Sequence, residues 1–168
     1  MSDPKEEQFG KIYDLYIEKV YRFVYLKVNS QEVAEDITSK VFIKAWKAFQ
    51  GPDFTLKNEG AFLFKIARNA VIDHYRQKGR QKTVSVDASP EMIDQGADAH
   101  DLAILSADVN LVKRAISKLD KEQQDIIIWH YLDDMTIPEI AGLLGRPEGT
   151  VRVMLHRGLK DLKEMVKQ

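Results

Sequence analysis

A chain of 168 residues, 44% apolar and 30% charged, can bury one modest core or two small ones and is too apolar for a disordered tail. It has no cysteine, which excludes disulfides, a thiolate nucleophile and a cysteine-type zinc site. Its first ten residues are polar and acidic, and no apolar run approaches the roughly 20 residues that cross a bilayer, so a cytoplasmic location without membrane insertion is expected.

The formal net charge of -1 hides an uneven distribution. Residues 1–80 carry 14 Lys/Arg against 11 Asp/Glu, residues 81–110 one lysine against six acids, and residues 111–168 ten cations against nine acids. Within the basic ends, residues 57–82 hold seven cations and two acids, and residues 146–168 hold six against three. A phosphate backbone responds to such local stripes and not to the total.

In chain order, residues 7–28 predict a helix with Phe9, Ile12, Tyr13, Tyr16, Val20, Phe23 and Val24 as its apolar stripe, broken at Asn29-Ser30. Residues 31–49 predict a second, with Val33, Ile37, Val41 and Ala45 on one face and Phe42, Trp46 and Phe49 beside it as core aromatics. Residues 50–60 form a loop by their Gly-Pro and Asn-Glu-Gly content, carrying Phe54 and Leu56 without a helical face. A third helix over 61–78 buries Leu63, Ile66, Ala67, Ala70 and Val71 and presents Lys65, Arg68, Asn69, Asp73 and Arg76, with Lys78, Arg80 and Lys82 just beyond.

Residues 80–105 contain Gly96, Pro90 and scattered acids with no sustained period, the pattern of a flexible acidic linker. Helices over 105–119 and 121–131 follow. Thr136 with Glu139 has capping-box spacing, and Ile137, Ile140, Ala141 and Leu144 make one face apolar. Gly145 ends that helix, and Pro147 is placed to open the next at its first position. The next helix, over 147–162, turns Val151, Leu155 and Leu162 inward and Arg152, His156, Arg157, Lys160 and Lys163 outward. Two short helices with a tight turn, the second basic, make a helix-turn-helix. The expectation is an all-α protein of two small helical domains, 1–79 and 106–168, joined by the linker, the second a helix-turn-helix domain.

No enzyme is indicated. The four histidines are far apart, Asp133-Asp134 sits ahead of a helix start where acids need no catalytic reason, and there is no phosphate-cradling glycine loop. No metal and no cofactor are expected.

Over nearly its whole length the chain resembles a bacterial RNA polymerase sigma factor of the extracytoplasmic-function (ECF) group of the sigma-70 family. The residues that carry the resemblance are Glu35-Asp36-Ile37-Thr38-Ser39-Lys40-Val41-Phe42 with Trp46, then Phe62 to Asn69 followed by Asp73, Tyr75 and Arg76. In the second domain they are Leu119, Tyr131, residues 136–144 and Leu144 to Arg152. The resemblance implies a region 2-like first domain that binds core polymerase and the minus-ten element, and a region 4-like second domain that binds the minus-thirty-five element. It implies core polymerase contacts at Glu35, Asp36, Ser39, Lys40 and Lys44. For the minus-ten element and strand opening it implies Phe54, Lys57, Asn58, Arg68, Asn69, Asp73, Arg76 and Arg80. For the minus-thirty-five duplex it implies Arg146, Thr150, Arg152, Val153, His156, Arg157 and Lys160. The partners implied are core RNA polymerase, promoter DNA and an anti-sigma factor.

Departures from the family pattern are Phe62 for a tryptophan, Ser39-Lys40 for glutamine and an acid, and Pro147 for a serine. Val153, Met154 and Leu159 replace serine, arginine and arginine, which removes two cations from the helix expected to grip the upstream element. Two other readings of the residues are a two-domain helix-turn-helix regulator that does not associate with core polymerase, and a helical adaptor that binds no DNA.

Overall fold

Asn29 and Ser30 show how little chain these helices need to turn. The computed structural model describes residues 3–84 and 107–167. In it Asn29 adopts the left-handed conformation at φ 56°, and its N–H closes the end of the first helix onto the Tyr25 carbonyl. Asparagine tolerates this region better than other side chains. Ser30 then accepts a hydrogen bond from the Val33 N–H and starts the next helix. Two residues therefore reverse the chain between α1 (Pro4–Val28) and α2 (Gln31–Phe49).

Every regular element among the described residues is helical, and the chain divides into two compact units, residues 1–95 and 96–168. In the first unit α1, α2 and α3 (Glu59–Val84) each pack on the other two. Val20, Phe23, Val24, Ala34, Val41, Ala45, Leu63, Phe64 and Ala67 are almost wholly removed from water there. The expected stripes are largely the observed ones, with Tyr13 an exception at 42% exposure. The helix expected to stop at residue 78 continues to Val84, because Gly79 lies inside it without ending it. The rest of the expected linker lies outside the described residues. The Tyr75 hydroxyl donates to the Lys27 carbonyl, tying the middle of α3 to the last turn of α1.

The second unit contains α4 (Ala107–Lys118), α5 (Lys121–Ile127), α6 (Ile137–Leu144) and α7 (Glu148–Lys167), and α7 packs on the other three. The buried Gln124 amide donates to the carbonyls of Ser117 and Leu119, satisfying acceptors that the end of α4 would otherwise leave unpaired. After α5 the backbone widens into a π-helical turn over Ile128–Leu132 where sequence periodicity predicts one continuous helix. Within this turn Trp129 is fully buried while Tyr131 is half exposed, and the Trp129 carbonyl accepts from the Met135 N–H.

The capping box forms as its spacing requires. Thr136 accepts from the Glu139 N–H at 3.3 Å, and Glu139 accepts from the Thr136 N–H at 3.1 Å. Thr136→Ala is expected to cost about 1 kcal/mol, within the usual 0.5–2 for a lost N-cap. Chemical denaturation with an unchanged slope would measure it. Pro147 departs from expectation by one position. Its carbonyl accepts from the Val151 N–H, so it precedes the first residue of α7 instead of occupying it. Gly145, at φ 66°, turns the chain between α6 and α7 in a region that penalises any side chain.

Candidate nucleic-acid and partner interfaces

Three helical surfaces remain after the two cores are built. On α2, burying Ala34, Ile37, Thr38, Val41 and Ala45 leaves Glu35, Asp36, Ser39, Lys40 and Lys44 exposed together, as expected of one helical face. Asp36 pairs with Lys40 at 3.0 Å, but both side chains are more than 60% exposed, so water and salt screen the pair and it is readily exchanged for a partner's charges.

Beside this face lies a groove that sequence reading missed. It has a volume of about 710 Å³ and is lined by Phe9, Tyr13, Ile17, Phe42, Ile43 and Trp46 with the acids Glu6 and Asp14. Tyr13 and Ile43 are 42% and 55% exposed. Helical periodicity marks the aromatics as core, and Phe42 is buried and Phe9 and Trp46 half-buried, while Tyr13 is exposed. Periodicity does not reveal that α1 and α2 leave an open furrow where their apolar edges meet. Exposed Ile43, next to Lys44 and out of phase with the buried set, was the available signal.

The loop at 50–58 is fastened at its middle. The Phe54 ring is half-buried, with its centroid 5.5 Å from that of Phe49 and 5.0 Å from that of Phe62. Phe49 in turn meets Phe9 at 5.6 Å. Phe54 thus clamps the loop to the end of α2 and the start of α3, where sequence reading had only a stacking surface for a base. Asn58 also has a local duty, its side-chain oxygen accepting from the Ala61 N–H at 2.9 Å at the start of α3. Lys57 is exposed.

On α3, Lys65, Asn69, Asp73, Arg76 and Arg80 recur at three and four residues and are all exposed, while Arg68 is half-buried on the flank. Asp73 and Arg76 approach to only 3.9 Å at high exposure, a weak pair. The stripe therefore offers cations for phosphates interleaved with an amide and a carboxylate, groups that can address bases.

On α7, Arg152, Val153, His156, Arg157 and Lys160 form one exposed face, with Val151 buried on the opposite side and Thr150 between the two. Val153 is 48% exposed, an apolar residue among polar ones. The positions of the two absent cations differ from that face. Met154 and Leu159 are half-buried, so their loss removes less from the outward surface than the sequence suggests. Gly158 is buried because α5 passes close by. A Cβ there would lie 3.0 Å from the Ile127 side chain.

Two arginines near the turn behave differently. Arg152 makes one intrahelical contact to Glu148 at 3.3 Å and is 61% exposed. Arg146 instead grips Glu122 on α5 with two nitrogens, Nε at 2.8 Å and Nη2 at 3.1 Å, to the two carboxylate oxygens. No group of three or more His, Cys, Asp or Glu that could hold a metal occurs among the described residues.

Comparison with known proteins agrees with this layout. Residues 12–81 match the family model described as Sigma-70 region 2, and residues 110–162 match Sigma-70, region 4. The chain is 28% identical over 165 residues to the ECF RNA polymerase sigma factor BldN of Streptomyces coelicolor, covering 95% of this chain but 61% of BldN. It is 26% identical over 170 residues to SigW of Bacillus subtilis, covering 96% of this chain and 90% of SigW. In fold it is similar to the solved co-crystal structure of the sigma factor RpoE in complex with the anti-sigma factor NepR from Bartonella quintana. That match has a TM-score of 0.74 and 22% identity, and covers 96% of this chain and 98% of the other. It is also similar to CnrH in complex with the cytosolic domain of CnrY, with a TM-score of 0.68 and 19% identity over 96% and 89% of the two chains.

The CnrH complex corrects the expected cytoplasmic location. CnrH was solved with the cytosolic domain of CnrY, a partner named by one domain of a larger protein, and composition with polar termini does not establish where the present chain resides. What holds for the described residues is narrower: no helix among them is long and apolar enough to cross a membrane. Two sigma-70 modules in this order, with ECF sigma factors aligned along nearly the whole chain, make this protein a member of the extracytoplasmic-function sigma factors of the sigma-70 family.

Proposed function

We propose that this chain binds core RNA polymerase, directs it to promoters of particular sequence and assists strand opening, with an anti-sigma factor as a second protein partner. The observation that carries this reading is the division of exposed surface between two sigma modules. A charged and apolar face on α2 with its groove and a basic stripe on α3 share one unit, and a recognition-helix face on α7 stands on the other. In this reading Glu35, Asp36, Ser39, Lys40 and Lys44, flanked by the Tyr13–Ile43 groove, meet core polymerase. Lys57, Arg68, Asn69, Asp73, Arg76 and Arg80, with the Phe54 loop, meet the minus-ten element. Thr150, Arg152, Val153, His156, Arg157 and Lys160 meet the duplex near minus thirty-five. The first domain extends through α3 and the second begins with α4. An anti-sigma partner is supported by the complexes in which RpoE and CnrH were solved.

The reading is tested by transcription in vitro from a mixed promoter library with purified core polymerase. Failure of the wild-type chain to co-purify with core would remove it in favour of an ordinary DNA-binding regulator. Within it, Asp36→Arg is expected to weaken core association about tenfold, or ~1.4 kcal/mol, with an unchanged melting temperature because Asp36 is exposed. Recovery of core at the wild-type level by this variant would release α2 from the polymerase interface.

A further inference from the structure

The geometry points to Arg146 as a positioning residue that aims the recognition helix through Glu122, and not as a contact to DNA. The inference rests on the sigma-factor reading and assigns to Arg146 a different duty from the one its sequence position suggests.

Arg146 sits in the three-residue turn between α6 and α7, where its backbone is already determined. Gly145 is left-handed, the Arg146 N–H donates to the Ala141 carbonyl at 3.1 Å, and Pro147 has a ring-restricted φ. Only the side chain remains to be placed, and it crosses to α5, 24 residues earlier in sequence, to meet Glu122 at both carboxylate oxygens, with a hydrogen bond from Nη2 and an ion-pair contact from Nε. A paired fork of this kind fixes direction as well as distance, which a lysine ammonium or a single contact does not. The carboxylate side chain is 25% exposed and the guanidinium 44%, so the pair is better shielded than Arg152–Glu148, at 61% and 47%.

Farther along α7, Gly158 admits the side chains of Gln123 and Ile127 on the same α5. Two features of the packing of the recognition helix on α5 are thus a close steric approach at its middle and the ion pair just ahead of its first turn. Removing the ion pair leaves the helix start held by the buried Val151 and by the turn from α6, and lets it shift relative to α5 about the close approach at Gly158. Because Arg152, Val153 and His156 occupy the first turns of α7, such a shift displaces the side chains that face the duplex. A partly exposed pair of this kind contributes little to stability, so its effect is expected in recognition more than in folding.

The test uses holoenzyme reconstituted from full-length chain and core polymerase, with filter binding to a promoter duplex over a series of salt concentrations. Wild-type binding is measured first, and its absence would count against the sigma-factor reading itself. Arg146→Ala and Glu122→Ala are each expected to weaken binding about threefold to tenfold. The double variant should be no worse than either single one, as coupled partners require. The slope of log affinity against log salt should match wild type, since no phosphate contact is lost. Arg146→Lys should behave like the alanine variant, and the exchange Glu122→Arg with Arg146→Glu should recover most of the affinity. Melting temperatures of all variants identify any that fail to fold, and the lysine variant preserves charge and bulk for that case. A phosphate contact would give the opposite pattern: Glu122→Ala neutral or tighter, Arg146→Ala with a slope lower by about one, lysine tolerated, and the exchange more damaging than either single change. That pattern would overturn the inference.

Discussion

Phe54→Ala is expected to stop promoter opening while leaving closed-complex binding by the holoenzyme within about twofold of wild type, the larger loss following from stacking on an unpaired base. Such stacking contributes roughly 1–3 kcal/mol per base, or about fivefold to 150-fold, and acts only once the strands have separated. The structure adds a second cause, because the ring bridges Phe49 and Phe62 and its removal loosens the loop that carries Lys57. Phe54→Leu separates the two. Leucine retains much of the packing against both rings but offers no π-face. Permanganate reactivity of unpaired thymines reports opening, and filter binding reports the closed complex. Opening by both variants at the wild-type rate would show that neither the ring nor the loop takes part. Opening by leucine alone would make Phe54 an anchor and move the stacking role elsewhere.

The second large effect is expected from the α3 stripe. Arg76→Glu with Arg80→Glu should lower the slope of log affinity against log salt by about two, one for each phosphate contact, and reduce holoenzyme binding tenfold or more at moderate salt across promoters of different sequence. Both residues are exposed, and the pairing of Arg76 with Asp73 is loose at 3.9 Å, so folding should be little changed. A weaker effect on non-promoter DNA than on promoters would point instead to base reading by these side chains. An unchanged slope would mean the stripe is solvated surface with no DNA role.

The two predictions differ in how far the sequence supports them. The α3 stripe was legible because exposure on a helix follows from residues three and four apart, all within one element. The structure keeps Lys65, Asn69, Asp73, Arg76 and Arg80 together, as that spacing requires. For Phe54 the sequence showed an aromatic without a helical face and nothing of Phe49 or Phe62 as its neighbours. The resemblance gives Asn58 to the minus-ten element, and the structure adds a local duty that its spacing three residues before Ala61 also offers, the cap of α3.

By itself the sequence determined the all-helical class, most helix boundaries, the capping box at Thr136–Glu139, the glycine turn at 145 and the two-module order. These depend on apolar period, cap chemistry and backbone permissiveness within about four residues, so they are written locally. It misplaced the end of α3, since glycine weakens a helix without ending it, and it read a π-helical turn as plain helix. Only the tertiary structure decided the groove between α1 and α2, the partial burial of Met154 and Leu159, the passage of α5 across Gly158 and the reach of Arg146 to Glu122. Each depends on helices far apart in sequence meeting at a particular distance and rotation. That geometry is set by the packing of two cores as wholes, and no short window of residues contains it.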